Sequence, residues 1–283
     1  FVVGDIRFAG VTISCPEVTK FMLKHQEPLQ IDFAEDKKKF NNDSQVDWTV
    51  FNHAIRAFTA AVGISQERGL SVNERLAALT IFIYHFQSSI DEKRDPSGFI
   101  EAFSDHSNLT QILAQTGINN RDLSSKMAFC SEIINYIMLV RQSRTMLPEL
   151  HELIGSLESD GKMSLDINKL RAAYAVFDNE EAQVWMEQII VYTLYRYFMQ
   201  GFSKKDFYTK FLLGALVFFE LCIITTVLSY IKSGHQPSFD ELVMIIAHTS
   251  RIIEHDDSFR DATIEHFISK GMDDPAYLLK LFS

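Results

Sequence analysis

The longest apolar run in the chain covers residues 211–231, FLLGALVFFELCIITTVLSYI, and one acid, Glu220, interrupts it. About twenty such residues would cross a bilayer, but an isolated carboxylate near the middle is expensive in lipid. Inside a protein one well-placed cation can answer it. The run therefore reads as the buried central helix of a bundle. Around it, apolar residues recur at three- and four-residue intervals, the period of helices with one buried face. Trp48, Phe51, Ile55, Phe58 and Val62 form one stripe, closed by Gly63, and Leu76, Leu79, Ile83, Phe86 and Ile90 form another behind a Ser71-to-Glu74 capping box. Short helical pieces at 99–103 and 109–113 follow the turn signal Asp95-Pro96-Ser97-Gly98. A long helix opened by Asn119-Asn120 carries Leu123, Met127, Cys130 and Ile134, and Pro148 breaks the stretch beyond it.

The second half has the same character. A helix over 180–202 carries Trp185, Ile189, Tyr192, Tyr195 and Phe198 with Arg196 among the aromatics, and Ser203 is placed to cap the central run. Gly234-His235-Gln236-Pro237 ends that run, and a Ser238-to-Glu241 box starts a helix over 242–255, with two more at 259–268 and 275–282. Near the start, Ser14 caps a helix with Pro16 in its first turn and Glu17 at capping-box spacing. Only residues 1–13 look like strand. The polar turn Ser159-Asp160-Gly161-Lys162 is the best internal boundary. These patterns predict an all-α, multi-helix bundle around a buried apolar central helix, with either a short β-hairpin or an extended lead-in at the amino terminus. They give a single helical domain over 1–283, divisible into sub-bundles 1–158 and 165–283.

Composition narrows the function classes. With 23 Phe but only 12 Gly and 6 Pro, long helices with aromatic packing are favoured over tight turns. The net charge of -10 repels a nucleic-acid backbone and suits a basic partner. The Lys37-Lys38-Lys39 and Lys204-Lys205 clusters sit beside acids and read as solvated faces. Three widely spaced cysteines, Cys15, Cys130 and Cys222, give no disulfide framework and point to a reducing, cytoplasmic setting. No nucleic-acid partner and no membrane span is expected.

Three constellations carry chemistry. Cys15, at the first turn of a helix, is placed either as a thiolate nucleophile or metal ligand, favoured by unpaired N–H groups, or as a small buried residue. Cys130 and Cys222 lie in apolar stripes and belong to the core. On the helix from 242, Leu242, Ile246, Thr249 and Ile253 share one side, while His248, Arg251 and His255 gather on another as a basic patch or a solvated face. Glu220 and Arg196 each lie in an apolar helix and need a partner: each other, or Arg251 for Glu220. There is no Gly-rich phosphate loop, GxSxG or HExxH, so no catalytic constellation is complete on residues alone.

Three stretches carry a family resemblance. ISCPEVTKFML at residues 13–23, followed by Glu27-Pro28, is similar to the LSCPE-type segment of bacterial flagellin lysine-N-methylases. HTSRIIEHDDSF at 248–259 resembles a later segment of that family, and DDPAYLLKLF at 273–282 its ending. The resemblance implies transfer of methyl groups from S-adenosylmethionine to flagellin lysines by proteins with a cysteine-ligated [4Fe-4S] cluster. Residue by residue it marks Cys15, Pro16 and Glu17, then Ser250, Arg251 and His255. Because methyl transfer needs a neutral amine, and acids or aromatic faces stabilise a sulfonium, Glu220 or Glu254 with Tyr192 or Tyr195 join the candidates. The resulting set is Arg251, His255 and Glu220 as catalytic residues, Cys15, Glu17, Tyr192 and Tyr195 as cofactor-binding residues, and Cys15 as metal ligand. The family's cysteine-rich amino-terminal segment is absent, so the chain is expected to correspond to the helical carboxy-terminal part. A four-iron cluster needs about four ligands and is not expected on Cys15 alone. The competing reading is a non-catalytic helical module that binds a protein partner.

Overall fold

A computed structural model of the protein describes residues 2–3, 6–7, 12–28, 47–116, 123–140, 158–159, 162–163, 172–254 and 257–282. Helices dominate: α1 (Pro16–Lys24), α2 (Trp48–Ser65), α3 (Val72–Asp91), α4 (Ser97–Ser104), α5 (His106–Gln115), α6 (Leu123–Val140), α7 (Glu180–Lys204), α8 (Gly214–Ser233), α9 (Phe239–Glu254), α10 (Asp257–Ser269) and α11 (Pro275–Lys280). Of the two forms open to the amino-terminal stretch, the hairpin is the one that forms, pairing Val2 with Arg7 and Val3 with Ile6. A second two-residue ladder pairs Glu158 with Met163 and Ser159 with Lys162, so the polar turn expected at 159–162 also carries strand on its flanks. Asn119-Asn120, Pro148 and the Lys37-Lys38-Lys39 cluster lie outside the described residues.

Helix α8 is the centre. Every residue from Gly214 to Leu228 is buried, and α6, α7 and α9 pack around it. The helix is long and apolar enough to cross a membrane, but its most apolar window is wholly enclosed by the protein, which leaves no face for lipid. A single cluster of buried side chains runs from Ile13 to Phe282. The first and second halves interleave within it, α2 against α7 and α1 against α9.

The approach to α8 differs from the sequence expectation. Ser203 does not cap the central run; it lies in the last turn of α7 and its hydroxyl donates to the Gln200 carbonyl. Lys205 turns the chain with φ of 55°, and Asp206 accepts from the Thr209 N–H and hydroxyl to start a π-helical turn, Tyr208–Leu213, that leads into α8. The reversal is tight at Gly201, where an added Cβ would lie 2.9 Å from Phe207 Cδ1 and 3.1 Å from the Asp206 carbonyl oxygen. Ser14 likewise is not the cap of α1. Cys15 takes the N-cap position without a side-chain hydrogen bond, and Pro16 fills the first helical position, where no N–H is needed. The capping boxes at Ser71/Glu74 and Ser238/Glu241 form as expected, whereas α2 continues two residues past Gly63.

Candidate functional site

The segment before α1 is tied down by two distant helices. Arg251 on α9 donates from Nε to the Ser14 carbonyl at 2.9 Å, and the Ile13 N–H reaches the Tyr192 hydroxyl of α7 at 3.5 Å. Thr19 closes the turn from within by donating to the Ile13 carbonyl at 2.5 Å. Further along, Lys20 pairs with Asp240 at 2.7 Å and the Lys24 ammonium lies 5.6 Å from the Phe239 ring centre, so α1 and α9 run antiparallel side by side. On α9 Leu242, Ile246, Thr249 and Ile253 are buried as the sequence implied, and Ser250 is buried with them; of the expected basic patch Arg251 is exposed and His248 is half-buried. Cys15 and Glu17 are exposed at the amino end of α1, directly after the carbonyl that Arg251 holds.

The candidate residues thus divide. Cys15, Glu17, Arg251 and Tyr192 come together where α1 meets α7 and α9. Tyr195 faces elsewhere, edge-on to Phe58 of α2 with ring centres 5.2 Å apart. His255 lies outside the described residues, and of Glu254 only the helical backbone is described. Glu220 is fully enclosed in α8, and its partner is neither Arg196 nor Arg251. Arg196 is exposed beside the Tyr197 ring. Instead Lys126 of α6 brings Nζ to 3.2 Å from Glu220 Oε1, and the Cys130 thiol lies 3.8 Å from Oε2. The Lys126 contact is an ion pair by distance, but Oε1 has no well-directed hydrogen bond among the described residues. Burial raises the Glu220 pKa above the usual carboxylate range, with Lys126 opposing the shift. Burial, and then the nearby Glu220 charge, push the Cys130 thiol up as well.

A second buried acid was not visible as such. Glu187 of α7 is 0% exposed and accepts from Arg68 Nε (3.0 Å), Arg68 Nη2 (2.9 Å) and Arg75 Nη1 (2.9 Å). The two guanidinium groups shift in opposite directions, Arg68 up through its hydrogen bond to Glu187 and Arg75 down through burial. Both stay charged, since a guanidinium does not lose its proton in a protein. One sequence signal marks both missed groups. Glu187 is followed by buried Ile190, Val191 and Leu194, and Lys126 by buried Phe129, Cys130 and Ile133, at i+3, i+4 and i+7. A charge in register with an apolar stripe must be inside.

The described residues do not fit an iron–sulfur cluster. No group of three His, Cys, Asp or Glu among them is placed to hold a metal ion, Cys130 and Cys222 are core residues, and Cys15 alone is exposed.

Comparison with known protein families matches residues 59–281 to the FliB lysine N-methylase C-terminal domain. The match includes the Ser250-Arg251 segment and most of the ending, and begins after the Cys15 segment. No curated protein and no solved structure matches the chain. With nearly four-fifths of its length matched, the chain belongs to the FliB lysine N-methylase C-terminal domain family.

Proposed function

We propose that this chain is the helical part of a cytoplasmic protein-lysine N-methyltransferase that modifies flagellin, with S-adenosylmethionine as methyl donor. The family match over residues 59–281 carries this reading. It is supported by the Arg251 contact to Ser14, which joins two of the stretches that resemble flagellin lysine-N-methylases across 237 residues of sequence. When bound, S-adenosylmethionine supplies an electrophilic methyl group on a sulfonium. The protein has to present a neutral lysine amine to it and take up the proton released as the N–C bond forms and the S–C bond breaks.

Arg251 acts as a positioning residue in this scheme. Its guanidinium fixes the carbonyl before Cys15, and the Tyr192 hydroxyl holds the same turn from α7. Glu17, exposed in the first turn of α1, is a carboxylate of that region open to a cationic substrate. Glu220, enclosed against Lys126, serves the fold instead of meeting a substrate lysine. The test is mass spectrometry of flagellin after incubation with the chain and S-adenosylmethionine. A mass gain in whole methyl groups on lysine peptides, strongly reduced by Arg251→Ala, is expected. Flagellin capture without any mass gain would refute methyl transfer and favour the binding-module reading.

A further inference from the structure

Helix α1 turns one face to the fold and one to solvent. Thr19, Met22 and Leu23 are buried, while Glu17, Phe21 and Lys24 are exposed. At about 100° per residue these last three fall within about 60° of one another around the helix, so they form one stripe. Phe21 is 77% exposed, the most of any large apolar side chain among the described residues, and Met244 on α9, the helix beside it, adds another at 41%. A single apolar residue at the surface is ordinary. Two on adjoining helices, the larger flanked by opposite charges, mark a contact surface.

The order along the stripe is acid, aromatic, base. Glu17 stands four residues before Phe21 and Lys24 three after it, so the stripe turned end for end about Phe21 is its own complement. Two α1 helices laid antiparallel about a two-fold axis beside Phe21 bring the Phe21 rings together and set Glu17 of each copy against Lys24 of the other. Both charges are available for this. Among the described residues neither has a salt-bridge partner, and the Lys24 ammonium rests 5.6 Å from the Phe239 ring centre. Other occupants match less of the stripe. A nucleic acid or an anionic membrane would set negative charge against Glu17, and a purely basic segment would set positive charge against Lys24.

We propose that the outer face of α1 pairs with the same face of a second copy of this chain, Phe21 on Phe21 and Glu17 on Lys24 in both directions. The contact is small. Helix α1 has 9 residues and is about 14 Å long, which puts the pairing in the weak, transient class. The net charge of -10 on each copy opposes it at long range, but that repulsion is largely screened beyond about 8 Å at physiological salt. While the pair lasts Glu17 is taken, so the face serves a second copy and a cationic substrate in turn and not together.

Sedimentation velocity on the full chain over a concentration series tests this. Reversible dimerisation with a Kd of about 10–500 μM is expected. Phe21→Ala should weaken it by about tenfold or more. Glu17→Lys and Lys24→Glu should each abolish it, because each sets like charges together. An equimolar mixture of those two variants should dimerise again, since each supplies the charge the other lacks. All three positions are exposed, and circular dichroism checks that the variants keep their helices. A chain that stays monomeric to about 1 mM would overturn the proposal. So would dimerisation untouched by Phe21→Ala, or a mixture of the two charge variants that stays monomeric. None of these measurements involves flagellin or a methyl donor, so their failure leaves the methyltransferase reading standing.

Discussion

The Glu220–Lys126 pair gives the sharpest energetic prediction. At 3.2 Å and an effective dielectric of about 20, the attraction is worth about 5 kcal/mol. Removing each charge from water costs several kcal/mol, and Oε1 lacks a well-directed hydrogen bond, so the pair as a whole is close to neutral for stability. Its halves are not. Lys126→Met leaves a fully enclosed carboxylate alone and should cost about 3–5 kcal/mol at neutral pH, whereas Lys126→Met combined with Glu220→Leu should be neutral or stabilising by about 1–4 kcal/mol. Urea denaturation of the four forms measures this cycle. The pH dependence provides a second reading. A carboxyl whose folded pKa is raised binds its proton more tightly in the native state. Its favourable contribution is therefore full below the unfolded value of 4.5 and is lost as pH rises through the folded value. Lys126→Met removes the group that opposes the shift, so its deficit against the double variant should shrink as pH falls toward 4.5. A double variant that is as unstable as Lys126→Met alone, or a deficit independent of pH, would refute the argument.

Other outcomes follow from named contacts. Gly201→Ala should destabilise by about 1–3 kcal/mol in thermal or urea melts, because its Cβ would press on Phe207 and the Asp206 carbonyl. By contrast Gly63→Ala, in the interior of α2 with nothing within 4 Å of the added Cβ, should stabilise by about 0.5–1 kcal/mol. Arg251→Ala should lower stability by about 1 kcal/mol, the net value of one hydrogen bond, while sharply reducing flagellin methylation; global unfolding would show a structural role only. In a thiol-reagent titration of the native protein Cys15 should react at once and Cys130 and Cys222 only after denaturation, and iron and sulfide assays should find no stoichiometric cluster on this chain.

The candidate site was legible in pieces. Cys15, Glu17 and Arg251 stand out as residues because capping and periodicity locate them at a helix start and on a polar face. Their meeting is a long-range contact between α1 and α9 that no local pattern encodes. Tyr192 and Tyr195 looked equivalent in one aromatic helix, yet three residues of rotation send one to the Ile13 turn and the other to Phe58. The Arg68–Glu187–Arg75 cluster went unseen because its members are spread over 119 residues, although the apolar register around Glu187 marked that acid as buried.

Local chemistry was enough to determine the helices, most of their ends and the enclosure of residues 211–231. Helix period, capping boxes and a Gly234 stop with φ of 74° act over a few residues, and an apolar run with amphipathic neighbours has to be their shared core. Only the tertiary structure could decide partners. Glu220 required a cation, and Arg196, Arg251 and Lys126 were all chemically adequate. The packing of α6 against α8 chose Lys126, because which charge ends up within reach of a buried carboxylate depends on how the helices stack and not on the sequence around it.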